Sequence, residues 1–212
     1  MIETILGRRS VREAFAERAV PEEVVRSIVS CGLAAPSSKN AQPWRLHVVT
    51  DRAILGHLAR TVEQAKNAAR YVPLDPATGE PRRWTSTVAE SAHVLGHVPL
   101  AIFIENRGEF SSGRTTVAAA TGDVLRSALV GYGFEMIGLG ACIQTMWLAA
   151  EHHGLHGVFM GDPLIAEDEI RSTLGTDNDF AGVLCLGYAD GGVPPKEYVD
   201  DLVVWHRPDE TA

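Results

Sequence analysis

A chain of 212 residues, 45% of them hydrophobic and 22% charged, has the composition of a soluble globular protein with a sizeable core and not that of a disordered segment. Its formal net charge of −8 argues against nucleic acid or an anionic membrane as main partner, so any anion site must be local. Met1 to Gly7 offers no basic segment followed by an apolar run of export-signal length, and the expected location is the cytoplasm.

From Pro21 to Ala35 the apolar residues Val24, Val25, Ile28 and Val29 recur at helical spacing, with Pro36 beyond, and predict an amphipathic helix. Trp44 to Val48 alternates as a strand, and Asp51 reads as the cap of a helix carrying Ile54, Leu55 and Leu58. Residues Tyr71 to Ser86 hold Pro73, Pro76, Gly79 and Pro81, which predicts an irregular surface excursion long enough to be a lid. A second strand is expected at Leu100–Ile104, then a loop from Glu105 to Gly113. Trp84 and Phe110, in these two irregular segments, are the aromatic candidates for stacking on a planar acceptor.

Two helices follow, Thr115 to about Tyr132 and about Glu135 to His153, with Gly131 and Gly133 marking a break. The second is apolar nearly all round and should be central; Arg126, Glu135 and Gln144 make it a helix inside a protein and not a membrane span. Val158–Met160 and Gly182–Gly187 read as buried strands, separated by a helix beginning soon after Pro163 with Glu167, Asp168 and Glu169 at its positive end. A last apolar run, Leu202 to Trp205, lies beyond a Gly-Pro-rich link, Gly191 to Pro195. Without repeats or low-complexity tracts, residues 1–212 read as one α+β domain ending in a detached strand.

Arg8-Arg9-Ser10-Val11-Arg12 gathers guanidiniums and a hydroxyl in an otherwise acidic chain, groups suited to the charge-assisted bonds of a phosphate. In Ala35-Pro-Ser-Ser-Lys-Asn-Ala-Gln-Pro-Trp44, a loop between helix and strand, Ser37, Ser38, Asn40 and Gln42 can read a heteroaromatic edge, two prolines stiffen the frame, and Trp44 belongs to the core. Together these motifs resemble the N-terminal pattern of the FMN-dependent nitroreductase family. The resemblance continues through Gln144–Ala150, Gly154–Gly157, Met160–Asp162, Leu186–Tyr188 and Pro194-Pro195-Lys196, and is weakest between about residues 65 and 113.

The resemblance implies a nitroreductase-like fold with helices around a mixed central sheet, and an intertwined homodimer in which residues 199–212 extend onto the partner subunit, with Leu202–Trp205 as an exchanged strand. It implies FMN as cofactor and NADH or NADPH as donor, with a small electron-poor acceptor, a nitroaromatic or quinone, reduced by a ping-pong mechanism. Arg8, Arg9, Ser10, Arg12 and Lys196 would hold the phosphate. Pro36, Ser37, Ser38 and Asn40 would reach the flavin from the other subunit, and Met160, Gly161 and Asp162 would lie at its reactive edge. No side chain is assigned as acid or base, since the cofactor carries the chemistry. Two departures stand out. Asp162 replaces a frequent second glycine and would set a carboxylate against the negative charge of reduction, and Tyr198 replaces a frequent arginine, removing a phosphate contact. A tailoring dehydrogenase or reductive dehalogenase on the same fold is the alternative, and a non-catalytic flavin-binding protein a third.

Other motifs carry less. Cys31, Cys142 and Cys185 sit among apolar or small neighbours without a CxxC pair and read as core residues. His152, His153 and His156 mark a helix end and not a metal site. Ser37 and Ser38 lack the strand-turn-helix of a nucleophile elbow, Gly138-Leu-Gly140 lies inside a helix and not after a strand, and Gln144 is expected to be a hydrogen-bonded core amide.

Overall fold

The alternating segment Trp44–Val49 forms strand β1, and the apolar run Leu100–Asn106 forms β2, in a computed structural model that describes residues 1–189 and 202–206. With β3 (His156–Met160) and β4 (Asp179–Gly187) they make one sheet in the order β1-β2-β4-β3. Every strand pair is antiparallel, with Leu46 facing Ile104, Ile102 facing Leu184, and Val158 facing Cys185. The parallel part of the expected mixed sheet is confined to a bridge from Ser10 to Gly157.

Successive side chains of a strand point to opposite faces, and β2 is buried on both. Leu100, Ile102 and Ile104 pack with α2 (Glu22–Leu33) and α6 (Gly122–His152), while Ala101 and Phe103 pack with α3 (Arg52–Glu63) and α4 (Val88–His97). This double burial explains the unbroken apolar run. Trp44 lies in the α2/α6 core, as expected. Helix α3 starts at the cap read from sequence: Asp51 accepts the N–H groups of Ala53 at 2.7 Å and Ile54 at 3.3 Å. Helix α2 lies so close to α6 that a Cβ at Gly32 would stand 2.4 Å from Met146 Cγ.

Around this frame are α1 (Ile2–Gly7), α5 (Arg114–Ala119), and α7 (Glu167–Leu174), the last with Glu167, Asp168 and Glu169 in its first turn. Between residues 71 and 86 the only strand-like pairing is a bridge from Leu74 to Pro81.

Three expectations need correction. The helix break expected at Gly131 and Gly133 falls instead at Ala120–Thr121, and α6 runs through both glycines without interruption. Gly131 is a packing glycine: a Cβ there would meet the Phe110 carbonyl oxygen at 2.9 Å. Gln144 is exposed on α6 in the single chain and is not a core amide. Helix α4, between the proline-rich segment and β2, was not expected at all.

Cys142 and Cys185 are buried and Cys31 is half-buried, all as free thiols. Burial pushes the Cys142 thiol up to about 12 and raises Cys185 as well. Leu202 to Trp205 lie exposed and in no strand of the single chain. The Gly191–Pro195 link, Lys196 and Tyr198 lie outside the described residues. Among those residues, no helix is long and apolar enough to cross a membrane.

Candidate active site

The basic cluster begins where α1 stops. Arg8 takes an extended conformation, and the chain from there is strapped along the sheet: Ser10 bridges Gly157, Val11 N–H donates to the Gly157 carbonyl at 2.8 Å, and Ala16 N–H donates to the Tyr188 carbonyl at 2.8 Å. Only glycine fits at 157, where a Cβ would lie 1.9 Å from the Cys185 carbonyl oxygen.

The cations of the strap have different surroundings. The Arg8 guanidinium stacks over the Trp147 ring at 4.0 Å, and its Nη1 is buried without a hydrogen-bond partner among the described residues. Arg9 Nη1 turns back to the carbonyls of Leu6 at 2.6 Å and Arg8 at 2.8 Å. Arg12 Nε lies 3.2 Å from Glu90 of α4, with both side chains about half exposed. Beneath Arg8, Glu151 meets His156 Nδ1 at 3.0 Å. Burial pushes the Glu151 carboxyl up, against the lowering influence of His156 and Arg8. His153 Nε2 meets Ser27 Oγ at 2.9 Å.

At the end of β3, Met160 is buried while Gly161 is exposed, with open space where a Cβ would stand. Asp162 turns its carboxylate to the start of α4 and accepts from the hydroxyls of Thr87 and, at 3.3 Å, Ser91. The first turn of α4 therefore receives both Arg12 and Asp162. Thr87-Val-Ala-Glu90 has the pattern of a capping box, in which hydroxyl and carboxylate normally satisfy the helix's own first N–H groups. Here neither does: Thr87 caps nothing with its side chain, and the two groups serve Asp162 and Arg12 instead. That motif could have revealed the helix, and with it Thr87, Glu90 and Ser91. Trp147 and Glu151 carry no such signal, since stacking under an arginine leaves no local pattern.

The second predicted motif leaves α2 and passes through a short 3-10 turn at Ser38–Asn40. Lys39, Asn40 and Gln42 all have left-handed backbones, with φ of 49°, 54° and 47°. Such angles are uncommon outside glycine. Ser37 Oγ accepts the Gln42 N–H at 3.0 Å, and Gln42 Nε2 donates to Asn40 Oδ1 at 3.3 Å. Gly138 of α6 lets Ser37 and Pro43 come close, since a Cβ there would lie 3.3 Å and 3.2 Å from them. The remaining ties of the loop run to Arg107, after β2.

Trp84 is exposed with Arg82 over its ring, and Phe110 meets Phe134 edge-on at 6.2 Å. One chain thus joins a basic strap, a carboxylate-bearing helix start and an open glycine, and holds a strained polar loop apart on α6. The family model for the nitroreductase family matches residues 5–188.

The chain belongs to the nitroreductase family. Among its relatives, nitroreductase NfnB of Mycolicibacterium smegmatis is 47% identical over 215 aligned residues, covering 88% of this chain and 81% of that protein. A 4-nitrobenzoate reductase of Nocardioides sp. is 28% identical over 203 residues, covering 90% and 81%. The nitroreductase fold recurs in a BluB-like flavoprotein from Clostridium difficile, with a TM-score of 0.76 at 22% identity and coverage of 97% and 98%. It recurs also in a nitroreductase with bound FMN from Desulfitobacterium hafniense, with a TM-score of 0.69 at 18% identity and 97% of each chain covered.

Proposed function

We propose that this nitroreductase works as a homodimer that takes electron pairs from NADH or NADPH and passes them to a small electron-poor acceptor, a nitroaromatic or quinone, in ping-pong fashion. The coarser part, an FMN-dependent NAD(P)H oxidoreductase, comes with the family. The observation that carries the reading is the strap paired to β3 at Gly157: Arg8 with a buried Nη1 that finds no partner among the described residues, Arg12 half in water, and the exposed Ser10. A buried donor without a partner is costly and suits an anion that completes its bonds. These residues fit the phosphate of FMN.

FMN, when bound, supplies the redox chemistry. The chain's residues bind and orient. Arg8, Arg9, Ser10 and Arg12, with Lys196, hold the phosphate by charge-assisted bonds. The open backbone at Gly161 allows close approach to the ring edge, between Met160 and Asp162. Pro36, Ser37, Ser38 and Asn40 read the ring of the flavin held by the partner subunit. Asp162, fixed by Thr87 and Ser91, would stand near that edge and would oppose the build-up of negative charge there.

The dimer is supported by surfaces that a lone chain leaves uncovered. Among the described residues, strand β1 is a sheet edge with one side unpaired, beside a groove of about 870 Å³ that includes Val25, Val29, Leu33 and Val48. An open edge gains by pairing with a strand, and Leu202–Trp205 is an exposed apolar run suited to it. Helix α6 exposes Leu129, Val130, Phe134 and Ile137, a further apolar face.

The test is flavin extraction and anaerobic titration of the purified protein. The expected result is FMN, bleached by a reduced nicotinamide and reoxidised by a nitroaromatic or a quinone. Recovery of mostly FAD, or a yellow protein indifferent to both nicotinamides, would sink the reading.

A further inference from the structure

Glu135 is a carboxylate in the middle of α6 with no exposed surface, and no role in the proposed chemistry. A buried charge is costly unless fully hydrogen-bonded. Four donors satisfy this one: Asn106 Nδ2 at 2.8 Å, Phe110 N–H at 2.6 Å, Ser111 N–H at 2.7 Å and Ser111 Oγ at 2.6 Å. All come from the end of β2 and the loop that follows it. Gly131, one turn before Glu135, is bare where the Phe110 backbone presses on the helix. The carboxylate serves that loop and not the helix.

What the loop carries is Arg107. Its N–H donates to the Pro43 carbonyl at 2.8 Å, and its Nη1 donates to the Gln42 carbonyl at 3.1 Å. These are consecutive carbonyls of the strained segment, in which Lys39, Asn40 and Gln42 itself have left-handed backbones. Strained backbone persists only where its surroundings over-determine it. The Ser37 hydroxyl holds this segment from within and α6 at Gly138 supports one side; Arg107 holds it from the β2 side.

We propose that Glu135 and Arg107 are positioning residues for the flavin-reading loop: Glu135 anchors the 106–111 segment, and Arg107, so anchored, holds residues 37–43 in the strained shape that meets the isoalloxazine of the partner's cofactor. The inference rests on the reading that this loop contacts flavin. Neither residue touches the cofactor. Both act on the ring and not on the phosphate, which separates them from the strap.

The experiment compares wild type with Arg107→Ala, Arg107→Lys and Glu135→Gln as full-length proteins, by flavin titration and by hydrogen exchange. Arg107→Ala, which removes the side-chain bond to the Gln42 carbonyl and keeps the backbone one to Pro43, is expected to weaken FMN and riboflavin binding in the same proportion, roughly five- to tenfold, the equivalent of one hydrogen bond. Amides 37–42 should exchange faster, and Arg107→Lys, which keeps a donor for the Gln42 carbonyl, should lie between. Glu135→Gln should act in the same direction and speed exchange at 106–111 as well; if it does not fold, Arg107→Ala carries the test. Wild-type exchange rates at 37–42 in Arg107→Ala would overturn the proposal, as would faster exchange with both flavin affinities unchanged. A wild-type protein that binds neither flavin overturns the cofactor reading itself, before any variant is made.

Discussion

Arg8 and Arg12 stand four residues apart, yet one lies on the face of Trp147 and the other half in water against Glu90. Water and salt screen the exposed cation, so its contribution to anion binding belongs at the lower end for a charged hydrogen bond. Arg12→Ala is expected to weaken FMN binding by about 1.5 kcal/mol, within the ~1.5–3 kcal/mol range for such bonds. The loss should shrink as salt rises, and fluorimetric titration at two ionic strengths checks both statements. Lys196→Ala should behave in the same sense. Buried carboxylates behave differently. Burial pushes Glu135 up, but its donors Asn106, Ser111 and Phe110 outweigh burial and hold it below the ordinary range. Glu105 is likewise pushed up by burial and brought below its ordinary value by Asn178, His47, Thr176 and Arg45. A depressed folded-state value means that the stabilisation is present above the unfolded value of about 4.3 and is lost as pH falls through the folded value. Urea melts should therefore show stability falling below about pH 4, with a shallower acid slope in Glu135→Gln; an identical slope would contradict this account.

At the scale of elements, the strap depends on Gly157, where β3 meets both β4 and the N-terminal segment. Gly157→Ala would push a Cβ into the Cys185 carbonyl, a clash with backbone that cannot rotate away. The expected cost is about 1–3 kcal/mol of stability, typical of overpacking, with FMN retention lost alongside because Ser10 and Val11 are tied to the same residue. Thermal melts and flavin content measure the two effects. How far such elements could be read from sequence depended on whether their causes were local. Asp51 announced α3 because a cap acts within its own turn. The alternation of Trp44–Val49 and the apolar run of β2 announced the sheet because burial repeats along a strand. The continuity of α6 through Gly131 was not legible, since that glycine answers to Phe110 from another segment. Helix α4 was legible in principle from Thr87-Val-Ala-Glu90, but not the use of that motif's side chains, which serve Asp162 and Arg12 from distant parts of the chain. The arginine strap and the Ser37–Asn40 loop could be named from their residue types, but Glu135, Arg107 and Trp147 could not, because their partners lie far away in the chain.

At the scale of the molecule, the prediction concerns assembly. If Leu202–Trp205 pairs with the β1 edge of a second copy, truncation before Val199 removes a strand from each sheet and opens the site that the partner's Ser37–Asn40 loop completes. Dimer and flavin should then be lost together, as in obligate assemblies whose stability is inseparable from association. Sedimentation and flavin absorbance on the truncated chain test this; a yellow, active monomer would contradict it. The strand order β1-β2-β4-β3 has a different consequence, for biosynthesis. Strand β2 ends at Asn106, but β4, which covers its other edge, begins only at Asp179. At ~5–20 residues per second, a ribosome needs roughly 4–15 s to make the intervening chain. Throughout that interval Phe103 and Ile104, fully buried in the finished sheet, belong to a strand with one edge open. The nascent chain is thus most dependent on chaperones just before its last strand emerges, and slowing translation between Arg107 and Asn178 should lower the soluble yield more than slowing it before Leu100.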